Sequence, residues 1–216
     1  MVGAEMTETP IIRLATFEST HRQLVSVYRA VFTEPPYSED EADVQDFAAR
    51  FPDHVQRPGF RSCVAQQDER IVGFAYGFTG EPGDGWWDMV ADRLSDDEVE
   101  TWLDDCFAFA ELAVIPTARG QGIGGRLHDA LLSGLPHRTA VLSTFTDETP
   151  AMRLYRKRGW VTLLDDFVFP GRLHPCVVMG LKAIVQKSPC LNAPPNVFRA
   201  CHGATFASLR LKCSTA

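Results

Sequence analysis

Two periodicities divide most of this chain into elements. The segment 11–15 (IIRLA) reads as a first strand, and in 17–32 Leu24, Val27, Tyr28 and Val31 return along one helical face until Pro35 and Pro36 end it. A second helix is predicted over 41–51, where Val44, Phe47, Ala48 and Phe51 recur at helical intervals. The runs 60–67 and 70–79 predict an antiparallel hairpin about the polar turn at Asp68 and Glu69. Further on, Phe107, Phe109, Leu112 and Val114 mark a strand, and Leu127, Leu131 and Leu132 resume at helical spacing. Strands over 139–146, 160–169 and 176–184 follow, with a helix carrying Tyr155 between the first two. Pro170, Gly171 and Pro175 make the last connection, and His174 reads as one of its loop residues.

The junction at 112–125 carries the chemistry. Pro116 interrupts the strand, and Gly120, Gly122, Gly124 and Gly125 follow beside Arg119, immediately before the helix. Glycines there let backbone N–H groups approach an anion, and a helix N-terminus adds partial positive charge. The pattern therefore predicts a phosphate-bearing ligand at the start of this helix. A Walker-type loop is excluded, because no lysine stands at the required place. Gly120, Gly122 and Gly125 formally satisfy the dinucleotide pattern GxGxxG, with Asp147 as a ribose ligand, yet Pro116, Thr117, Ala118 and Arg119 separate strand from glycines. A tight turn with close helix–strand packing and no ligand is the remaining reading.

A third pattern fits better. Arg119, Gly122 and Gly124, preceded by LAVIP, match the loop pattern of Arg or Gln, two residues, Gly, one residue, then Gly or Ala. Downstream, Ala151, Leu154, Tyr155, Gly159 and Trp160 match AxxLYxxxG-aromatic, with Glu148 where Asn usually stands. These two motifs, in this order, resemble the GCN5-related N-acetyltransferase (GNAT) family over roughly 12–183, strongly over 107–160 and only loosely before that. The resemblance implies an α/β fold, a mixed, mostly antiparallel sheet flanked by helices and split near the cofactor. It also implies acetyl-CoA as acyl donor. Main-chain groups around Ala113, Val114 and Ile115 would hold the pantetheine arm, and Gly120, Gln121, Gly122, Ile123, Gly124 and Gly125 the pyrophosphate. Arg119 would either face phosphate or stabilise the loop.

Acetyl transfer needs the amine deprotonated and the departing thiolate protonated. Tyr155 is the candidate acid by resemblance, against a reading in which it packs with Leu154 or Trp160. Glu111 is the candidate base because it interrupts an apolar strand, where burial disfavours the charged form; an outward-facing carboxylate is the competing reading. Glu148 is expected to cap the next helix. No cysteine lies in the paired motifs, which leaves a covalent acyl-enzyme unsupported. The expected activity is transfer from acetyl-CoA to a primary amine of a small molecule or peptide. A non-catalytic acyl-CoA-binding or regulatory module on the same fold is the alternative.

The resembled family runs from the hairpin straight into the strand at 107–114, whereas here a segment at about 80–105 intervenes, with GEPGDGWW followed by an acidic helix candidate at 95–105. Trp86, Trp87 and Trp102 within it cover the open side of the sheet, line the acceptor pocket, where acidic residues would attract an amine, or do both.

Composition bounds the rest. The 216 residues, 45% hydrophobic and 23% charged, suffice for one enzyme-sized domain over 1–184. A net charge of −7 argues against broad nucleic-acid binding. No apolar run is long enough to span a membrane, and the acidic start lacks signal-peptide features, so cytoplasmic residence is the expectation. Cys63, Cys106 and Cys176 read as small core hydrophobes, while Cys190, Cys201 and Cys213, with His202, show no metal-site spacing. Residues 185–216 hold Lys187, Arg199, Arg210 and Lys212 but no acidic residue, and read as a C-terminal extension with partial disorder expected. A homodimer is expected from the resemblance alone.

Overall fold

The computed structural model describes residues 10–14, 20–169 and 175–182. The expectations for His174, for the start of the first helix and for the extension with Cys190, Cys201, His202 and Cys213 lie outside them.

Seven described strands form one sheet: β1 (Ile11–Leu14), β2 (Arg61–Gln67), β3 (Arg70–Thr79), β4 (Cys106–Val114), β5 (Thr139–Phe145), β6 (Val161–Phe167) and β7 (Cys176–Lys182). Their order is β1-β2-β3-β4-β5-β7-β6, and every pairing is antiparallel except β4 with β5. That parallel pair runs only from Cys106↔Thr139 to Ala108↔Val141. Beyond it β4 and β5 continue without pairing, which opens the sheet into a wedge.

Helices α1 (His21–Phe32) and α2 (Glu41–Val55) cover one face of β2–β4. Leu24, Val27 and Tyr28 of α1 and Val44, Phe47 and Phe51 of α2 are buried there with Phe74, Tyr76 and Phe78. Asp40 starts α2 by accepting the amides of Ala42 and Asp43, while the Asp43 carboxylate takes the Asp40 amide. This helix runs one turn past its expected end, through Pro52. Proline has no N–H for the Ala48 carbonyl four residues back. The His21 ring fills that place, its Nε2 donating to Ala48 O at 3.2 Å. One interior acceptor is thus kept satisfied, and the helix passes the proline.

The opposite face carries α5 (Ile123–Leu132) and α6 (Pro150–Lys157). Ile123, Leu127, Leu131, Met152 and Tyr155 pack there on Phe107, Phe109, Leu142 and Met179. Thr149, rather than the expected Glu148, caps α6: its hydroxyl accepts the Met152 amide at 3.1 Å, with Pro150 in the first turn. Glu148 is exposed and pairs instead with Arg156.

The intervening segment forms two short helices, α3 (Gly85–Ala91) and α4 (Asp96–Trp102); the sequence reading anticipated only the second. Asp84 starts α3 by accepting the Trp86 amide, and Arg57, just past the end of α2, holds the same carboxylate at 2.9 Å. Trp87 is 9% exposed, donates its indole N–H to Leu103 O and packs with Val90, Val141, Phe167 and Val178. It is a core residue of the β5–β7–β6 half, its ring packed and its N–H bonded within the protein, which corrects its placing on a pocket wall. Trp102 packs on the same cluster, with the Lys182 ammonium 5.6 Å from its ring centroid. Covering the sheet is what these two tryptophans do. Cys63 and Cys106 are fully buried and burial pushes their thiols up, to about 11 and about 12.

Candidate active site

A change of phase in β4 organises the site. Tyr76 of β3 pairs with Glu111 and Gly77 with Phe109, so Ala110 is an extra residue in β4. Before this bulge Phe107 and Phe109 face α5 and α6. After it, Leu112 and Val114 face that side, and Ala113 packs on the α1–α2 cluster. Glu111 is thereby turned to the α1–α2 face.

There it meets Arg50 of α2, whose Nη2 lies 3.3 Å from the Glu111 carboxylate. Glu111 is half-buried, and the arginine balances a charge that the sequence placed among apolar neighbours only. Around this pair stand Tyr28, Tyr37 and Tyr76. Tyr28 donates to Glu39 at 2.7 Å, and the Tyr76 hydroxyl lies 3.1 Å from His54 Nδ1. Burial raises the pKa of all three tyrosines, and the Glu111 charge raises each further. The His54 ring is pushed the other way, by burial and by Arg50 and Arg57. These groups belong to α1, the loop after it, α2 and β3, far from both motifs, and sequence reasoning missed their roles here.

Across the wedge, β5 presents Ser143 and Phe145. The Trp86 indole N–H donates to Ser143 Oγ at 3.3 Å, and the Tyr37 ring lies tilted against Phe145 with centroids 5.5 Å apart. Of the three candidate tryptophans, Trp86 alone is brought to this cleft.

Tyr155 reaches the wedge from α6. Its ring packs edge-on against Phe109 at 6.2 Å and beside Trp160 at 5.6 Å. Burial first, then the neighbouring Tyr37 and Glu111, raise its pKa, so the phenol stays protonated across neutral pH. No described residue bonds its hydroxyl.

The loop that follows β4 has the geometry of an anion cradle. A one-turn helix at Pro116–Ala118 takes up the residues that separated strand from glycines. Gly120 and Gly122 adopt φ of +79° and +73°, and a Cβ at either would meet no atom within 4 Å. Gly122 starts α5 with no side-chain cap and no acid in the first turn, which leaves the first-turn N–H groups without a side-chain acceptor. The donor set suits a pyrophosphate. Arg119 turns back, donating from Nε to Val114 O at 3.1 Å, so here it stabilises the loop.

The main chain of β4 corrects another expectation. The Ile115 amide donates to Val72 O and its carbonyl accepts from Ala118, so neither is open to a ligand. Polar groups of alternate strand residues point to opposite edges. Ala113 therefore shares the β3 side with Ile115, while Leu112 and Val114 turn toward the wedge. Leu112 was not singled out, although the alternation itself would have found it.

Among the described residues no group of His, Cys, Asp and Glu is arranged to hold a metal ion, and no helix is long and apolar enough to cross a membrane.

Comparison with known proteins agrees with this geometry. A GCN5-like protein acetyltransferase of Mycobacterium tuberculosis, Rv2170, is 26% identical over 147 residues, which is 64% of this chain and 71% of the relative. Aminoglycoside 6'-acetyltransferase type Ii shares the fold with a TM-score of 0.57 at 17% identity, over 81% of this chain and 97% of that one. The acetyltransferase YncA of Salmonella typhimurium, solved with its cofactor acetyl-CoA, aligns over 88% of this chain and all of its own (100%), with a TM-score of 0.53 at 14% identity. The family model described as the acetyltransferase (GNAT) family matches residues 22–160, from α1 through the wedge to the aromatic residue after α6. By that match this chain is a member of the GNAT acetyltransferases.

Proposed function

We propose that the protein transfers an acetyl group from acetyl-CoA to a primary amine. The observation that carries this reading is the wedge between β4 and β5, with an uncapped helix N-terminus at its mouth and a protonated tyrosine on its wall. First-turn amides of α5 and the loop from Gly120 would hold the pyrophosphate, and the main chain of Leu112 and the N–H of Val114 would pair with the pantetheine arm. Bound acetyl-CoA supplies a thioester carbonyl that an amine can attack. The amine nitrogen then bonds to the carbonyl carbon, the C–S bond breaks, and Tyr155 protonates the departing sulfur. The proton lost by the amine passes to Glu111, directly or through water.

The acceptor would enter from the α1–α2 face, where Glu111, Tyr37, Trp86, Ser143 and Phe145 surround the wedge. A carboxylate among aromatic rings suits an ammonium group on an apolar stem. The names of the relatives include a protein acetyltransferase, an aminoglycoside acetyltransferase and an alanine N-acetyltransferase of Escherichia coli, all consistent with an amine acceptor.

The test is calorimetric titration with acetyl-CoA, with NADH as comparator, followed by thiol release over a panel of polyamines, aminoglycosides and lysine peptides. Saturable acetyl-CoA binding near one per chain, with thiol release for at least one amine, is expected. Preference for NADH, or binding with no turnover on any amine, would overturn the reading. Glu111→Gln should remove the acidic limb of the pH–rate profile, and an unchanged limb would remove Glu111 from the base role.

A further inference from the structure

A buried histidine on the cofactor helix has no part in the chemistry above. His128 of α5 is 3% exposed, and both its ring nitrogens are engaged. Nε2 lies 2.9 Å from the indole Nε1 of Trp160, and Nδ1 lies 2.9 Å from the Asp129 carboxylate. An indole nitrogen can only donate, so Nε2 must be the unprotonated acceptor and the ring proton sits on Nδ1. Asp129 in turn receives Nε and Nη2 of Arg158, at 2.7 and 2.9 Å. Arg158 and Trp160 flank the turn that ends α6, and the Trp160 amide bonds the carbonyl of Tyr155 itself. The chain of contacts Arg158–Asp129–His128–Trp160 thus ties α5, whose first turn forms the anion cradle, to α6, which carries Tyr155.

The same residues box in the Tyr155 ring. Phe109, His128 and Trp160 stand 6.2, 6.3 and 5.6 Å from its centroid, and His128 and Trp160 are each about as close to Phe109. The Tyr155 hydroxyl has no described protein partner, so its aim rests on this packing.

We propose that His128 is a positioning residue for Tyr155: as the neutral tautomer it accepts the Trp160 indole N–H and thereby fixes the ring box that aims the phenol. The inference rests on the acid role given to Tyr155 above. Protonation of Nε2 would set two N–H groups against each other. Trp160 is buried, so its indole could not turn to water for a new acceptor. The box should therefore loosen on acidification. The charged and titratable groups facing His128 are Asp129 beside it on α5, Arg158 after α6 and Tyr155 on α6; β4 offers only Phe109. Burial and Arg158 lower the histidine's pKa while Asp129 raises it, and the net shift is downward. Neutral pH accordingly lies on the ordered side.

The test is nuclear magnetic resonance of the full chain, labelled with 15N in tryptophan and 13C in the tyrosine rings. Trp160→Phe and Tyr155→Phe assign the two resonances. On acidification from neutral to about pH 5, the Trp160 indole and Tyr155 ring signals are expected to move together with one midpoint, below that of an ordinary histidine. The other three indoles, Trp86, Trp87 and Trp102, report whether the fold persists. His128→Gln keeps an acceptor for Trp160 and a donor for Asp129 without titrating. It should hold both signals near their neutral positions and abolish the midpoint. His128→Leu, which lacks the acceptor, should displace the Tyr155 ring already at neutral pH; should it fail to fold, the glutamine variant decides. A Trp160 signal that stays put until the other indoles report unfolding would overturn the proposal. So would a Tyr155 ring that ignores the Trp160 transition. None of these measurements needs an acceptor, so failure to bind acetyl-CoA would sink the proposed activity without touching the clamp.

Discussion

The two sides of the wedge are built from different materials. On the cofactor side, the groups that would meet a ligand are backbone amides of the loop and α5 and main-chain groups of β4. On the acceptor side they are side chains drawn from α2, β4, β5, α3 and the loop after α1: Arg50, Glu111, Ser143, Trp86 and Tyr37. Backbone recognition imposes glycines at fixed spacing and so leaves a local pattern. Side-chain recognition only requires that distant residues converge. The proposed donor site is accordingly written in one short segment, and the proposed acceptor site is scattered over more than a hundred positions.

Four substitutions and a titration can break this contrast. The largest effect is expected for Tyr155→Phe, which should cut kcat by roughly 10²- to 10⁴-fold with acetyl-CoA affinity unchanged. Equal losses in affinity and rate would place the phenol in binding. Next comes Trp87→Ala, expected to cost about 3–5 kcal/mol of stability in urea unfolding. Trp86→Ala should cost much less and raise the KM of the acceptor; similar behaviour of the two neighbours would erase the distinction between core and cleft. Gly122→Val forces a β-branched residue into positive φ, a strain of about 1–3 kcal/mol. It should appear as roughly 10- to 100-fold weaker acetyl-CoA binding with little change in acceptor KM.

The smallest effect is on stability against pH. His54, His128 and His137 are held neutral, each with its pKa lowered chiefly by burial. The unfolded chain therefore binds more protons than the folded one as pH drops below about 6.5. Stability contributed by these rings is complete above that value and is lost as pH falls toward their depressed pKa values. Urea midpoints should decline on mild acidification, and a flat profile between neutral and about pH 5 would refute the assignment.

Much of the fold was legible because periodicity records burial. The faces of α1 and α2, the hairpin of β2 and β3, and the run from β4 to α5 all follow from spacing. One feature is written in the spacing of β4. Phe107, Phe109, Leu112 and Val114 step by two, three and two, and the step of three is the bulge that turns Glu111 toward Arg50. Others had no local signature. GEPGDGWW is dense in turn residues, yet Asp84 starts a helix there with support from Arg57, a residue 27 positions away. Glu148 stood at the motif's usual Asn, but the hydroxyl of Thr149 is the group that reaches the Met152 amide. The ion pair of Glu111 with Arg50 spans 61 residues, and no pattern within either segment announces it.

The order of strands at the far edge constrains how the polypeptide can acquire its shape during synthesis. Among the described strands β6 has a single neighbour in the sheet, β7, and β7 is made last of the described elements. While the ribosome is still producing residues before Cys176, β6 has no edge to join, and Val141 waits for Val178 to complete its cluster. The half of the sheet carrying the anion loop can assemble earlier, since its strands and α5 are all in hand by then. Among the described strands, the last in chain order is therefore the one that fits between two others, β7 between β5 and β6, and until it is made the described chain offers β5 no partner on that edge.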